Sequence, residues 1–95
     1  MQKRERDIEE RFCERAKEVG ALCLKFAPPG SAGWPDRLLL YPNAWAEFVE
    51  FKAPGEKPRK LQEKRIAALR AMGYTVTVID SIKAVTDYWE GVGWV

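Results

Sequence analysis

Histidine is absent from this 95-residue chain, and cysteine occurs only twice. The first absence removes imidazole from any account of acid–base or zinc chemistry. The second leaves Cys13 and Cys23 ten residues apart with no CxxC spacing, which is neither a disulfide framework nor a zinc site. Both read as buried, reduced thiols of a cytosolic protein. No run of about 18 apolar residues is present and no signal-peptide pattern opens the chain, so a soluble, cytoplasmic protein outside the membrane is expected. Repeats, low-complexity tracts and long linkers are missing as well. With 46% apolar residues, the expectation is one domain over 1–95 whose core needs no covalent staples.

Charge of one sign is also scarce: the net charge is only +2 and does not by itself point to nucleic acid. Its distribution says more. Lys3, Arg4, Arg6, Arg11 and Arg15 crowd the first segment, and Lys52, Lys57, Arg59, Lys60, Lys64 and Arg65 crowd the middle. Acidic residues lie among them, as they would on a solvated, ion-paired helix surface.

Periodicity gives the order αβββαβα. Ile8, Phe12, Ala16 and Val19 recur at helical spacing within Glu5 to Val19, and Gly20 supplies the stop. Leu22 to Phe26, Arg37 to Tyr41 and Trp45 to Lys52 read as three antiparallel strands, separated by a Pro/Gly loop and a Pro42-Asn43 turn. A helix over Lys60 to Met72, with Leu61, Ala68, Leu69 and Met72 along one face, crosses over to a β-branched strand, Tyr74 to Ile79. The crossover makes the last two strands parallel, so the sheet is mixed. Asp80 or Ser81 can cap a final helix to about Trp89.

Two charged residues interrupt the third strand. Side chains alternate along a strand, so Glu50 and Lys52 share a face while Val49 and Phe51 share the other, expected to be core. Burying charge there costs several kcal/mol unless it is paired or bound to metal. Asp36, held after Pro35 at the start of the neighbouring strand, can lie beside Glu50 across a hairpin. Two adjacent carboxylates repel, and a divalent cation relieves them. Oxygen-only donors, with the Phe51 carbonyl as a third, favour Mg²⁺ or Mn²⁺ over Zn²⁺. Such an ion polarises a phosphate and acidifies a bound water, and Lys52 can position that water and neutralise developing charge.

Pro35-Asp36 with Glu50-Phe51-Lys52 resembles the signature of the PD-(D/E)xK nucleases. The whole chain looks like a stand-alone VRR-NUC domain of viral or bacterial type. Lys25-Phe26, Pro29-Gly30, Gly33-x-Pro35-Asp36-Arg37, Phe48 to Pro54, Gln62 and Gly73-Tyr74-x-Val76 carry that likeness. Phe51 stands where such domains often have leucine, a change within apolar residues. The resemblance implies an α/β, restriction-endonuclease-like αβββαβ core, here with a C-terminal helix. It also implies a Mg²⁺-dependent DNA endonuclease and a homodimer acting on branched DNA such as a Holliday junction. It places Asp36 and Glu50 at the metal, a glutamate of the first helix near it, and a glutamine of the crossover helix beside the lysine. Glu9 is the choice for that glutamate, because it lies one turn from Phe12 and Cys13; Glu5 and Glu10 are the fallbacks. Gln62 is the glutamine, free to hold Lys52 or the attacking water.

A nuclease must hold a polyanion, and most protein–DNA hydrogen bonds go to phosphates. Lys57, Arg59, Lys60 and Lys64 follow the site in sequence, with Lys25 and Arg37 as further phosphate ligands. Trp34 can stack on a base or wedge a junction, or serve packing alone, whereas Trp45, Trp89 and Trp94 read as core or interface. The competing readings are a DNA-binding module with this fold and no cutting activity, and a structural protein whose strand charges pair with each other.

Overall fold

A computed structural model describes residues 3–91. The elements are α1 (Lys3–Glu18), β1 (Leu22–Lys25), β2 (Arg37–Leu40), β3 (Ala46–Phe51), α2 (Lys60–Ala71), β4 (Val76–Ile79) and α3 (Ile82–Gly91). The four strands form one sheet in the order β1-β2-β3-β4. The first two pairings are antiparallel and the third is parallel, as the hairpin and crossover signals require.

The β-period divides the sheet into two faces, and both are covered. On one side Leu39, Tyr41, Val49, Phe51 and Ile79 pack against Ile8, Phe12 and Ala16 of α1 and Val85 and Trp89 of α3. Phe12 is the hub: its ring meets Phe51 edge-on at 5.3 Å and Trp89 at 4.9 Å. On the other side Phe48 and Val76 pack against Ile66 and Leu69 of α2. β3 is buried on both faces, so charges within it are enclosed wherever they point.

α1 and α2 end alike. Gly20 (φ 77°) and Gly73 (φ 98°) adopt the left-handed conformation, and the residues after them donate back into the helix, Ala21 to Ala16 and Tyr74 to Leu69. These are Schellman caps. The second cap explains one departure from expectation: Tyr74 belongs to the helix stop, so β4 begins only at Val76. A second departure concerns α2. Leu61 and Met72 are 44% and 71% exposed, and Ala68 is exposed too. The inward stripe is Gln62, Ile66, Leu69, at i, i+4 and i+7, because the apolar residues of this helix are spread around its circumference.

Ser81, not Asp80, caps α3 through its Oγ, which accepts from the Ala84 amide at 2.9 Å. Trp89 is in the core, Trp45 is 52% exposed, and Trp94 lies outside the described residues. Cys13 and Cys23 are half-buried rather than buried; they are free thiols whose sulfurs lie 2.6 Å apart between α1 and β1. No helix among the described residues is long and apolar enough to cross a membrane.

Candidate active site

The β2–β3 register pairs Arg37 with Val49, so one step further along the same ladder Asp36 comes opposite Glu50. Both carboxylates line a cavity of about 600 Å³ at this end of the sheet, together with Glu5, Phe51, Lys52, Glu56, Lys57, Arg59 and Gln62. Asp36 is fixed from two sides. Its carbonyl accepts from the Phe26 amide at 2.9 Å, and its Oδ2 accepts from the Phe51 amide at 2.8 Å. Phe51, singled out above for its carbonyl, contributes its N–H to the site.

Glu50 is only 1% exposed. Its Oε2 accepts from Gln62 Nε2 at 2.8 Å and lies 3.5 Å from Lys52 Nζ. Its Oε1 is buried and has no hydrogen-bond partner. Burial, and then the Asp36 carboxylate, push the Glu50 carboxyl from 4.5 up to about 8, against the opposing pull of Lys52.

Gln62 is held by both ends of its amide. Oε1 accepts from the Arg59 amide at the start of α2, at 2.8 Å, which is half of a capping box. Nε2 is therefore presented to Glu50. The amide touches the glutamate and not Lys52, which corrects the first of its two expected partners.

The glutamate of α1 is a second correction. Glu9 is buried, but its carboxylate is taken by β2: Arg37 Nε donates to its Oε2 at 2.6 Å. It is absent from the cavity lining, and Glu5, one turn earlier, is there instead. Burial and then Asp36 raise the Glu5 carboxyl above its ordinary value. The same ion pair removes Arg37 from the phosphate ligands: its guanidinium is spent on Glu9 and on the Cys23 carbonyl, at 3.0 Å.

Of the remaining basic candidates, Lys57 and Arg59 line the cavity, whereas Lys25, Lys60 and Lys64 are exposed and stand off it. Trp34 is half-buried. Its indole N–H donates to Ser31 Oγ at 2.8 Å, the Arg65 guanidinium stacks 4.6 Å above its ring, and Phe26 meets it edge-on. The ring thus ties the loop before Asp36 to α2, a packing role, and Arg65 is the residue that pattern reasoning missed here. Glu56 was missed as well; its signal was its place in a charged Pro/Gly loop directly after Lys52.

No three carboxylate, thiol or imidazole groups among the described residues converge to hold a metal ion by themselves. Two carboxylates and a carbonyl suit Mg²⁺, which dehydrates reluctantly and commonly takes one or two carboxylates from the protein and the rest from water.

No family model matches the chain. A protein of Acyrthosiphon pisum secondary endosymbiont phage 1, named "Putative nuclease p44", is 45% identical over 78 residues, covering 82% of this chain and 84% of that protein. A solved structure described as a VRR_NUC domain is 30% identical, with a TM-score of 0.88 over 94% of this chain and 97% of that one.

Proposed function

Since the chain belongs to the VRR-NUC nuclease family, we propose that it is a Mg²⁺-dependent DNA endonuclease, selective for branched DNA, with its active site at Asp36, Glu50 and Lys52. The observation that carries this reading is Glu50: a buried carboxylate facing a second one, with one oxygen left without a donor. A fold that encloses such a group spends stability on it, which is the mark of a working site.

The donors fit a hard divalent cation, Mg²⁺ or Mn²⁺ in its place. Asp36, Glu50 and the Phe51 carbonyl offer only oxygen, and Glu5 is the helix carboxylate within the same cavity. When bound, that cation supplies Lewis-acid polarisation of the phosphate and a water of lowered pKa. The chain's own residues do the rest. The Phe51 amide holds Asp36 in one orientation. Gln62 fixes Oε2 of Glu50, leaving Oε1 as its uncommitted oxygen. Lys52 brings an ammonium group to the same carboxylate and offsets negative charge that builds on the phosphate. Lys57 and Arg59 are placed to take neighbouring phosphates of the strand. No element of the sequence reads as a recognition helix for the major groove, which favours recognition of DNA shape over sequence.

A homodimer would set two such cavities on the two strands of a four-way junction. Leu22 and Leu24, exposed on the edge strand β1, offer apolar area for it.

Cleavage assays over linear, nicked, flapped and four-way DNAs, with Mg²⁺ and with EDTA, test the proposal. Cutting that needs the cation, favours the branched substrates and vanishes in Lys52→Ala is the expected result. Junction binding in Ca²⁺ should survive the substitution. Binding without any cutting by the wild-type chain would leave a non-catalytic DNA-binding module.

A further inference from the structure

A second cavity, of about 400 Å³, lies at the opposite end of the central strands. Tyr41 follows β2, Trp45 precedes β3 and Glu47 lies within it, and Asp87 and Tyr88 come from α3; all of them line it, with the Asn43 side chain and the backbone of Gly91. Three of these six side chains are aromatic, two are acidic and none is basic. Glu47 is 7% exposed and Trp45 52%, so the carboxylate lies deep and an indole lies outermost.

Both oxygens of Glu47 are oriented by neutral donors. The Trp45 indole N–H donates to Oε2 at 2.8 Å, and the Tyr88 hydroxyl donates to Oε1. A further hydrogen bond joins the Tyr41 and Tyr88 hydroxyls. Neutral donors steer the charge and do not cancel it. The other buried glutamates are paired: Glu9 with Arg37 and Glu50 with Lys52. Glu47 has no such cation among the described residues. Lys83, the basic residue close by in sequence on α3, pairs with exposed Asp87 at 2.6 Å. A deep carboxylate under aromatic rings, with no internal counter-charge, lacks a cation. The π-faces of tyrosine and tryptophan attract cations as well, most strongly when water is excluded. The cavity volume falls in the range of small-ligand sites.

We infer that this pocket binds an organic cation, a guanidinium or alkylammonium group, seated against Glu47 among the rings of Tyr41, Trp45 and Tyr88. Phosphate is repelled there, so the pocket is no part of the DNA path. The group can come from an arginine or lysine side chain of a polypeptide, or from a free polyamine.

The Trp45 indole N–H sits on Glu47 and reports on the pocket directly. Titration of the ¹⁵N-labelled chain with N-acetyl-arginine amide, N-acetyl-lysine amide or spermidine should shift that resonance to saturation. N-acetyl-citrulline amide, the uncharged match for arginine, should not. Saturation by the amino-acid amides assigns the cation to a polypeptide, and saturation by spermidine alone assigns it to a polyamine. Glu47→Gln should weaken binding by about tenfold or more, as loss of a buried charge partner does. Trp45→Leu, at an exposed position that tolerates change, should weaken it too, read at the Gly91 amide. Both variants should cut DNA as the wild type does. The inference is overturned if no cation saturates the signal, if citrulline matches arginine, or if both variants bind like the wild type.

Discussion

Gln62 shows how much one side chain decides. Its amide is locked by the Arg59 N–H, so the end facing Glu50 is the donor. Gln62→Leu keeps the helix stripe apolar and removes that donor. Cleavage should fall by about 100-fold or more, because the carboxylate loses its orientation, while melting temperature stays within a few degrees. Single-turnover assays and thermal melts read the two effects separately. The two glutamates of α1 should part company in the same pair of measurements. Glu5→Gln should lower cleavage and leave stability nearly unchanged. Glu9→Gln should cost on the order of 2–3 kcal/mol, since it strands a largely buried guanidinium, and spare cleavage by the molecules that remain folded. That Asp36, Glu50 and Lys52 come together was legible in the sequence: charges at spacing two break the apolar pattern of β3, and a hairpin brings Asp36 opposite Glu50. The choice between Glu5 and Glu9 was not. Both lie on the inner half of α1, and only the position of Arg37 on β2 settles which one pairs there.

At the scale of elements, the loop between β1 and β2 is tied to α2 through Arg65, which donates to the Ala32 carbonyl and stacks on Trp34. Gly33 has φ 84°, and a Cβ there would stand 2.7 Å from Leu61 Cγ on α2. Gly33→Ala therefore combines a left-handed backbone with a clash. It should cost about 1–3 kcal/mol and reduce cleavage beyond that loss, because the same loop delivers Asp36. Urea unfolding alongside activity per folded molecule checks both parts. Leu61 is what bars a side chain at Gly33: the loop crosses close to that turn of the helix. The strands and their pairing could be read from alternation and turn residues. The inner face of α2 could not, since its helical periodicity is weak and the covering loop supplies part of the burial.

Across the whole molecule, the buried carboxylate links stability to acidity. The Glu50 carboxyl releases its proton near pH 8 in the folded chain, against an ordinary 4.5. The native state therefore holds this proton more tightly than the unfolded chain does. Its contribution is most favourable below 4.5 and is lost progressively as pH rises toward about 8. Urea unfolding in EDTA should show that decline, Glu50→Gln should flatten it, and millimolar Mn²⁺ should reverse it by favouring the ionised form. A protein whose stability ignores both pH and Mn²⁺ over this window would lack the linkage. The two borders of the sheet carry the same device. On β4 the Val76 carbonyl, turned away from β3, accepts from Arg70 Nη2 at 2.6 Å; on β1 the Cys23 carbonyl accepts from Arg37 Nη1 at 3.0 Å. Stacking of copies border to border into a fibre needs open sides on every subunit, and an arginine blunts each of these. Arg70→Ala should bare β4, visible as light scattering that climbs with concentration above that of the wild type.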